Sequence, residues 1–333
     1  GDSRGLITRP TLVWKVNASS GGERLVRTTY QTAGITWRAD YNLVLDAKDT
    51  SADLGAWVSL LNLSGAAYEN AQLKLIAGDV QRIQPQPVRR FRGGAAVERM
   101  AGADGGFEEK SFFEYHLYTL PRRTDVKANA TQQITLFPTA RNVPVRKVLV
   151  YDPTAMFAEW GLIGNWGDEP NRDQSSGLTD ERKVDVFVRF QNDEESNLGM
   201  PLPKGKVRVY KQDDTDGTLE FVGEGLIDHT PRNEKVSVRV GQSFDVVGER
   251  TQTSFAVSIG HGTIDESYKI EIRNRKREPV TVVVRERLFR WMNWEIVQHS
   301  DAFRKVDAQT IEWELTLPPD GVRAVTYAVR YVW

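Results

Sequence analysis

Along most of its length this sequence alternates apolar and polar residues with a period of two. In "TTYQTAGITWRADYNLVLD", Trp37, Ala39, Tyr41, Leu43 and Leu45 are interleaved with Arg38, Asp40 and Asn42, and Asp46 follows. The rule returns at Val184, Val186, Val188 and Phe190, at Tyr268, Ile270 and Ile272, and at Val280, Val282 and Val284. It returns again at Ile311, Trp313, Leu315 and Leu317 and at Val325, Tyr327, Val329 and Tyr331. Successive side chains on a strand point to opposite faces, so each run predicts a half-buried β-strand. No window holds an apolar stripe at helical spacing. Turn formers such as "DDTDG", "NRKREP" and "PPDG" separate the runs. The pattern predicts an all-β chain of short antiparallel strands, arranged as two tandem immunoglobulin-like sandwiches.

Three segments repeat one plan of strand, Asn, polar bend and strand. They are "WVSLLNLSGAAYENAQLKLIAG", "VFVRFQNDEESNLGMPLPKGKVRVY" and "YKIEIRNRKREPVTVVVRER". We read the Asn as tolerating the tight backbone at a strand end. Two stretches break the alternation. Residues 84–106 are rich in Pro, Gly, Ala and Arg and are expected to form a long loop. Residues 152–181 carry Trp160 and Trp166 among Gly, Pro and polar residues. The expected division is a first sandwich over 1–152, a connector over 153–182 and a second sandwich over 183–333. The last strand, "AVTYAVRYVW", reads as a native C-terminus and is expected to pair at a sheet edge.

At 333 residues the chain is long enough for two cores. Its net charge of −1 gives no electrostatic reason to bind nucleic acid or an anionic membrane. No apolar run approaches the ~20 residues of a spanning helix, and no signal-peptide layout is present. The sequence starts at Gly1 rather than Met, as a processed form or a fragment would. With no cysteine, disulfides, thiolate metal sites and cysteine nucleophiles are all excluded.

"LITRPTLVW", "TYQTAGITWRADY", "WVSLLNLSGAAYENAQLKLIAGDV", "FEYHLYTLPRRTDV" and "MPLPKGKVRVYKQDDTDGTLEFVGEGLIDHTP" resemble the bacterial domain-of-unknown-function 4139 family. That domain also forms the C-terminal part of mucoidy-inhibitor-A-like proteins. The resemblance covers nearly the whole chain and implies tandem β-sandwiches. It also implies further N-terminal sequence, often behind a secretion signal, and hence a periplasmic or extracellular address. It implies no activity and supplies no catalytic residues. The coiled coil of the mucoidy-inhibitor type is not visible here.

Residue by residue, catalytic signals are sparse. Nucleophile-elbow, zincin, phosphate-loop and dinucleotide patterns are missing. His116, His229, His261 and His299 share no ligand spacing, and His116 alternates as an outward strand residue. Asp213, Asp214 and Asp216 could meet calcium, but their spacing fits a hairpin turn with Gly217 at positive φ better. Asn17, Asn62 and Asn129 match the glycosylation pattern, which recurs often by chance. Arg89, Arg90 and Arg92 beside Phe91 read as a solvated basic loop. Nothing calls for a metal or a cofactor.

The nine tryptophans are the most suggestive feature. Trp160 and Trp166 in the connector, with Trp291 and Trp294 in "FRWMNWEI", are the candidate ligand-binding residues, since aromatics off the strands can stack on sugars or anchor a partner. We weigh this against packing at the interface between the two expected domains; a bulge near Asn293 would turn both Trp291 and Trp294 inward. The expected role is a non-catalytic exported scaffold that binds another envelope protein or a cell-surface polysaccharide. Self-association through sheet edges is part of that expectation. The alternatives are a carbohydrate-binding module using loop tryptophans and a hydrolase with its site between the two expected domains.

Overall fold

The computed structural model describes residues 13, 15–78, 96–99, 106–161, 163, 167–178, 183–213 and 215–333, with 96–99 as backbone alone. Most of the expected loop over 84–106, and Arg89, Arg90, Arg92 and Trp166, lie outside the described residues.

The chain opens with β1 (Ile35–Leu45), β2 (Ser51–Asn62), β3 (Tyr68–Ala71), β4 (Lys74–Ala77) and β5 (Ala96–Arg99). Next come β6 (Glu108–Phe112), β7 (Tyr115–Thr119), β8 (Thr124–Val126) and the long β9 (Ala130–Tyr151). A five-residue helix, α1 (Ala155–Glu159), precedes β10 (Lys183–Asn192), β11 (Gly205–Gln212), β12 (Leu219–Ile227) and β13 (Glu234–Ser258). β14 (Thr263–Asn274), β15 (Val280–Arg287), β16 (Trp294–His299), β17 (Arg304–Lys305), β18 (Thr310–Leu317) and β19 (Val322–Val332) complete it. The chain is nearly all β, as the alternation predicts. The pairing is not purely antiparallel, because β1 with β11, β9 with β15 and β5 with β9 run parallel.

The chain forms two compact units, each built from separated pieces. Unit 1 holds Gly1–Pro144, Phe190–Phe221 and Gly225–Val236, and unit 2 holds Val145–Arg189, Val222–Glu224 and Ser237–Trp333. The residues read as a connector fall in the first piece of unit 2.

In unit 1 the strand order is β12-β11-β1-β2-β9, with smaller β3-β8 and β4-β7-β6 sheets. Ala39, Tyr41, Leu43 and Leu45 are buried as the period-two pattern requires, while Trp37 is only half-buried. Asp40, on the face expected to be wet, is buried as well. Its carboxylate accepts from Ser59 Oγ at 2.5 Å and Arg38 Nε at 3.2 Å. The Tyr41 hydroxyl donates to the Pro203 carbonyl, and the Tyr118 hydroxyl to that of Pro201, each at 2.7 Å.

In unit 2, β13-β14-β19-β16 run side by side, and β15 pairs with both β18 and the end of β9. Trp313 is 1% exposed at the centre of the core, its ring 5.3 Å from Tyr327. Burying such a side chain contributes about 2–3 kcal/mol. β19 lies between β14 and β16, so the closing strand is internal rather than at an edge. Its alternating burial explains this: Val325, Tyr327, Val329 and Tyr331 all reach the core.

The recurring Asn is a buried hydrogen-bond hub. Asn62 Nδ2 donates to the carbonyls of Ala66 and Lys127, while its Oδ1 accepts from Ser64 N. Asn192 donates to Met200 and Pro231 and accepts from Gly199 N. Asn274 donates to Glu278 and Pro318 and accepts from Lys276 N. All three are at most 1% exposed, and none has positive φ. The side chain, not backbone tolerance, is therefore the reason for Asn. It ties each bend to a carbonyl supplied from 39 to 65 residues away.

Candidate functional site

His116, His261 and His299 each meet a single side-chain or carbonyl partner rather than a serine and a carboxylate together. His116 Nδ1 lies 2.7 Å from Glu109 Oε1, and His261 Nδ1 lies 3.0 Å from Ser258 Oγ. His299 meets the Asp301 carbonyl, and His229 accepts from Lys204 N. His116 is half-buried rather than fully outward, because Glu109 on β6 crosses to it. Asp214 lies outside the described residues, and the residues on either side of it form the expected hairpin turn. Gly217 has φ +72; the Asp213 carboxylate accepts from Thr215 N, and that of Asp216 from the Thr218 hydroxyl and amide, which holds both acids below their usual range.

The predicted tryptophans separate. Trp291 is 9% exposed and belongs to the unit 2 core. Trp294 opens β16 half-buried against that core, its Nε1 donating to the Ala308 carbonyl and Lys305 Nζ 4.5 Å above its ring. Both point inward without a strand bulge, because residues 288–293 leave the strand altogether after β15. Trp160 caps α1 and is 67% exposed.

The polar centre of unit 2 escaped the sequence reading. Both Glu286 carboxylate oxygens accept from Arg250 Nε at 3.0 Å, and Oε2 also accepts from the Tyr327 hydroxyl at 2.6 Å. Arg250 lies 3.6 Å over the Tyr268 ring and donates to the Gly177 carbonyl. Glu266 Oε1 accepts from the Tyr268 hydroxyl at 2.5 Å and from Gln252, and meets Arg290 Nη2 at 2.7 Å. Burial, with Glu266 beside it, pushes the Tyr268 hydroxyl up to about 12. The charge of Glu286 outweighs burial and holds Arg250 well above its ordinary value. A Cβ at position 177 would collide with Gln252, Tyr268 and Arg290, so this glycine lets residues 171–178 seal the cluster. The sequence signal was parity: Glu286 follows Val282 and Val284 on the inward face, and Glu266 precedes Tyr268 and Ile270.

An open cleft of about 370 Å³ lies elsewhere in unit 2. Asp152, just past β9, stands at its base and accepts from Arg287, with Arg285 Nη1 3.7 Å away. Burial raises the Asp152 carboxyl, the two guanidiniums opposing it. Met156 and Glu159 of α1 form one wall, and Lys183, Asp185 and Phe187 of β10 another, with Arg239 bound to Asp185 at 2.7 Å. The Thr154 hydroxyl ahead of α1 accepts from Arg287 N, so it makes no cap to the helix but fixes the helix to β15. Trp160 follows directly on Glu159.

One strand carries its apolar residues in the open. β12 stands last in the strand order, and Leu219, Phe221, Val222 and Leu226 on it are 41–76% exposed. Phe221 and Val222 are neighbours in sequence, so both faces of this strand are apolar and wet. No helix of the described residues is long and apolar enough to cross a membrane.

A family model described as a domain of unknown function (DUF4139) matches residues 26–333. No curated protein matches the chain.

Proposed function

The chain belongs to the DUF4139 family, and from that starting point we propose that it is a non-catalytic binding module of the bacterial envelope, periplasmic or extracellular. In this reading its two units are immunoglobulin-like sandwiches, and it binds another envelope protein by strand addition along β12. The observation that carries the reading is that Leu219, Phe221, Val222 and Leu226 of β12, the last strand in its order, expose apolar side chains on both faces. An edge with unpaired backbone groups and apolar side chains accepts an added strand, and proteins normally blunt such edges with charge, proline or cover.

The test is photo-crosslinking in intact envelopes with a photoreactive residue at Phe221. The expected result is one discrete protein adduct, lost when Leu226→Lys is added. Adducts no stronger than those from exposed Asn17 would defeat the reading. A second reading, carbohydrate binding, rests on Trp160, whose ring is exposed and which follows Glu159, a residue of the cleft wall. Co-sedimentation with insoluble cell-wall polysaccharide that Trp160→Ala abolishes would favour it.

A further inference from the structure

Unit 1 holds a pocket of about 190 Å³, where β7 and the end of β4 meet residues 201–202 and 229–231. Ala77, Tyr118, Leu202, Pro201 and Pro231 make most of its lining apolar. Its walls are fixed by bonds within the fold. The Tyr118 hydroxyl is engaged by the Pro201 carbonyl, and Leu202 and Thr230 exchange both backbone bonds, at 2.8 and 2.9 Å. Asn192 holds the same two segments through the carbonyls of Met200 and Pro231. A concave, mostly apolar site with few polar groups is the usual form of a small-molecule pocket.

Two imidazoles join this lining, His116 from β7 and His229 from the segment between β12 and β13. Glu109, which does not line the pocket, meets His116 Nδ1 at 2.7 Å. A carboxylate accepts and does not donate, so the neutral His116 ring carries its proton on Nδ1 and offers Nε2 as an acceptor. His229 Nδ1 accepts from Lys204 N at 3.1 Å, which puts the proton of its neutral ring on Nε2 and makes His116 the acceptor of the two. Glu114, exposed in the turn between β6 and β7, is the one charged residue among the described residues that line the pocket.

An apolar cavity of about 150 Å³ takes up benzene, so this pocket has room for a single six-membered ring. We propose that it binds a small organic amine, with the apolar body against Tyr118, Leu202 and the two prolines and the N–H group directed to His116 and Glu114. An ammonium meets an opposite charge at Glu114 and an acceptor at His116, whereas a carboxylate of the same size meets a like charge. β12 contributes no residue to the pocket, so the strand-addition reading can fail without it, and the reverse.

The experiment is a methyl NMR titration of the whole chain with benzylamine and, as its anionic counterpart, benzoate, at about pH 8, above the ordinary imidazole range. The Ala77 and Leu202 methyls are expected to shift with benzylamine, and benzoate is expected to bind at least tenfold more weakly. His116→Phe keeps a ring but not the acceptor and is expected to weaken benzylamine at least tenfold. Glu114→Gln, on the exposed turn, is expected to weaken it about threefold to fivefold. The Val58 and Val143 methyls of the unit 1 core report whether each variant is folded, and Glu114→Gln carries the test if His116→Phe is not. Three outcomes would overturn the proposal: no shift at Ala77 or Leu202, benzoate binding as tightly as benzylamine, or benzylamine affinity unchanged in the folded variants.

Discussion

Each unit buries tyrosines whose hydroxyls need a partner, and the two solve that need differently. In unit 1, Tyr41 and Tyr118 donate to backbone carbonyls of Pro203 and Pro201. In unit 2, Tyr327 and Tyr268 donate to the carboxylates of Glu286 and Glu266, which Arg250 and Arg290 neutralise. A carbonyl is neutral and already part of the chain, so losing the hydroxyl leaves one weak acceptor. A buried carboxylate brings a charge that must be matched, so every member of the network depends on the others. Unit 2 thus carries its specificity and its fragility in the same residues.

The sharpest break in this comparison is Glu286→Gln. It leaves Arg250 charged and buried with no counter-ion, and the expected loss is about 3–5 kcal/mol. Urea unfolding followed by hydrogen exchange in β14 and β15 measures it. Arg250→Met combined with Glu286→Leu is expected to recover most of the loss, since apolar replacement of a whole pair is often neutral. A Glu286→Gln loss no larger than that of removing a neutral hydrogen bond would erase the distinction between the units.

Next in size is Asn274→Ala, expected to lose about 2–3 kcal/mol because it strands two carbonyls and one amide. Here the units should agree: Asn62→Ala in unit 1, read by exchange in β2, should lose a similar amount. Unequal losses would show that the recurrence is one of sequence only.

How far these features were legible follows from the physics of each. The strands were legible because period-two alternation is imposed by the backbone itself, and Val325 to Tyr331 or Val280 to Val284 are buried as written. The Asn plan was visible as a pattern but misread, since the distant carbonyls of Lys127, Pro231 and Pro318 are not adjacent in sequence. Arg250, Glu266, Glu286 and Arg290 were passed over because a charged residue reads as solvated by default. Only their parity with Val and Ile neighbours pointed inward. The assembly of unit 1 from three pieces had no local signal at all, and neither had the parallel pairing of β1 with β11. For the cleft, no motif spacing brings Asp152, Asp185 and Arg287 together, because three different strand ends supply them.

The smallest effects separate neutral from charged partners most finely. Tyr41→Phe removes one neutral hydrogen bond and is expected to cost about 1 kcal/mol. Glu312→Gln is expected to cost about 1 kcal/mol or less, but the two should diverge with pH. Burial pushes the Glu312 carboxyl up, and the bonds and charges of Arg285 and Arg304 outweigh it, so its folded pKa lies below the ordinary glutamate value. A depressed acid stabilises the fold above its unfolded pKa and loses that contribution as pH falls through the folded value. The gap between wild type and Glu312→Gln should therefore be open at neutral pH and narrow as pH falls below the ordinary glutamate range. Tyr41 is held well above its ordinary range by burial and does not titrate in this window, so the Tyr41→Phe gap should stay level. Urea midpoints of the three proteins across that range decide the matter. A Glu312→Gln gap that stays level in acid would mean that Arg285 and Arg304 give the carboxylate no more than water does.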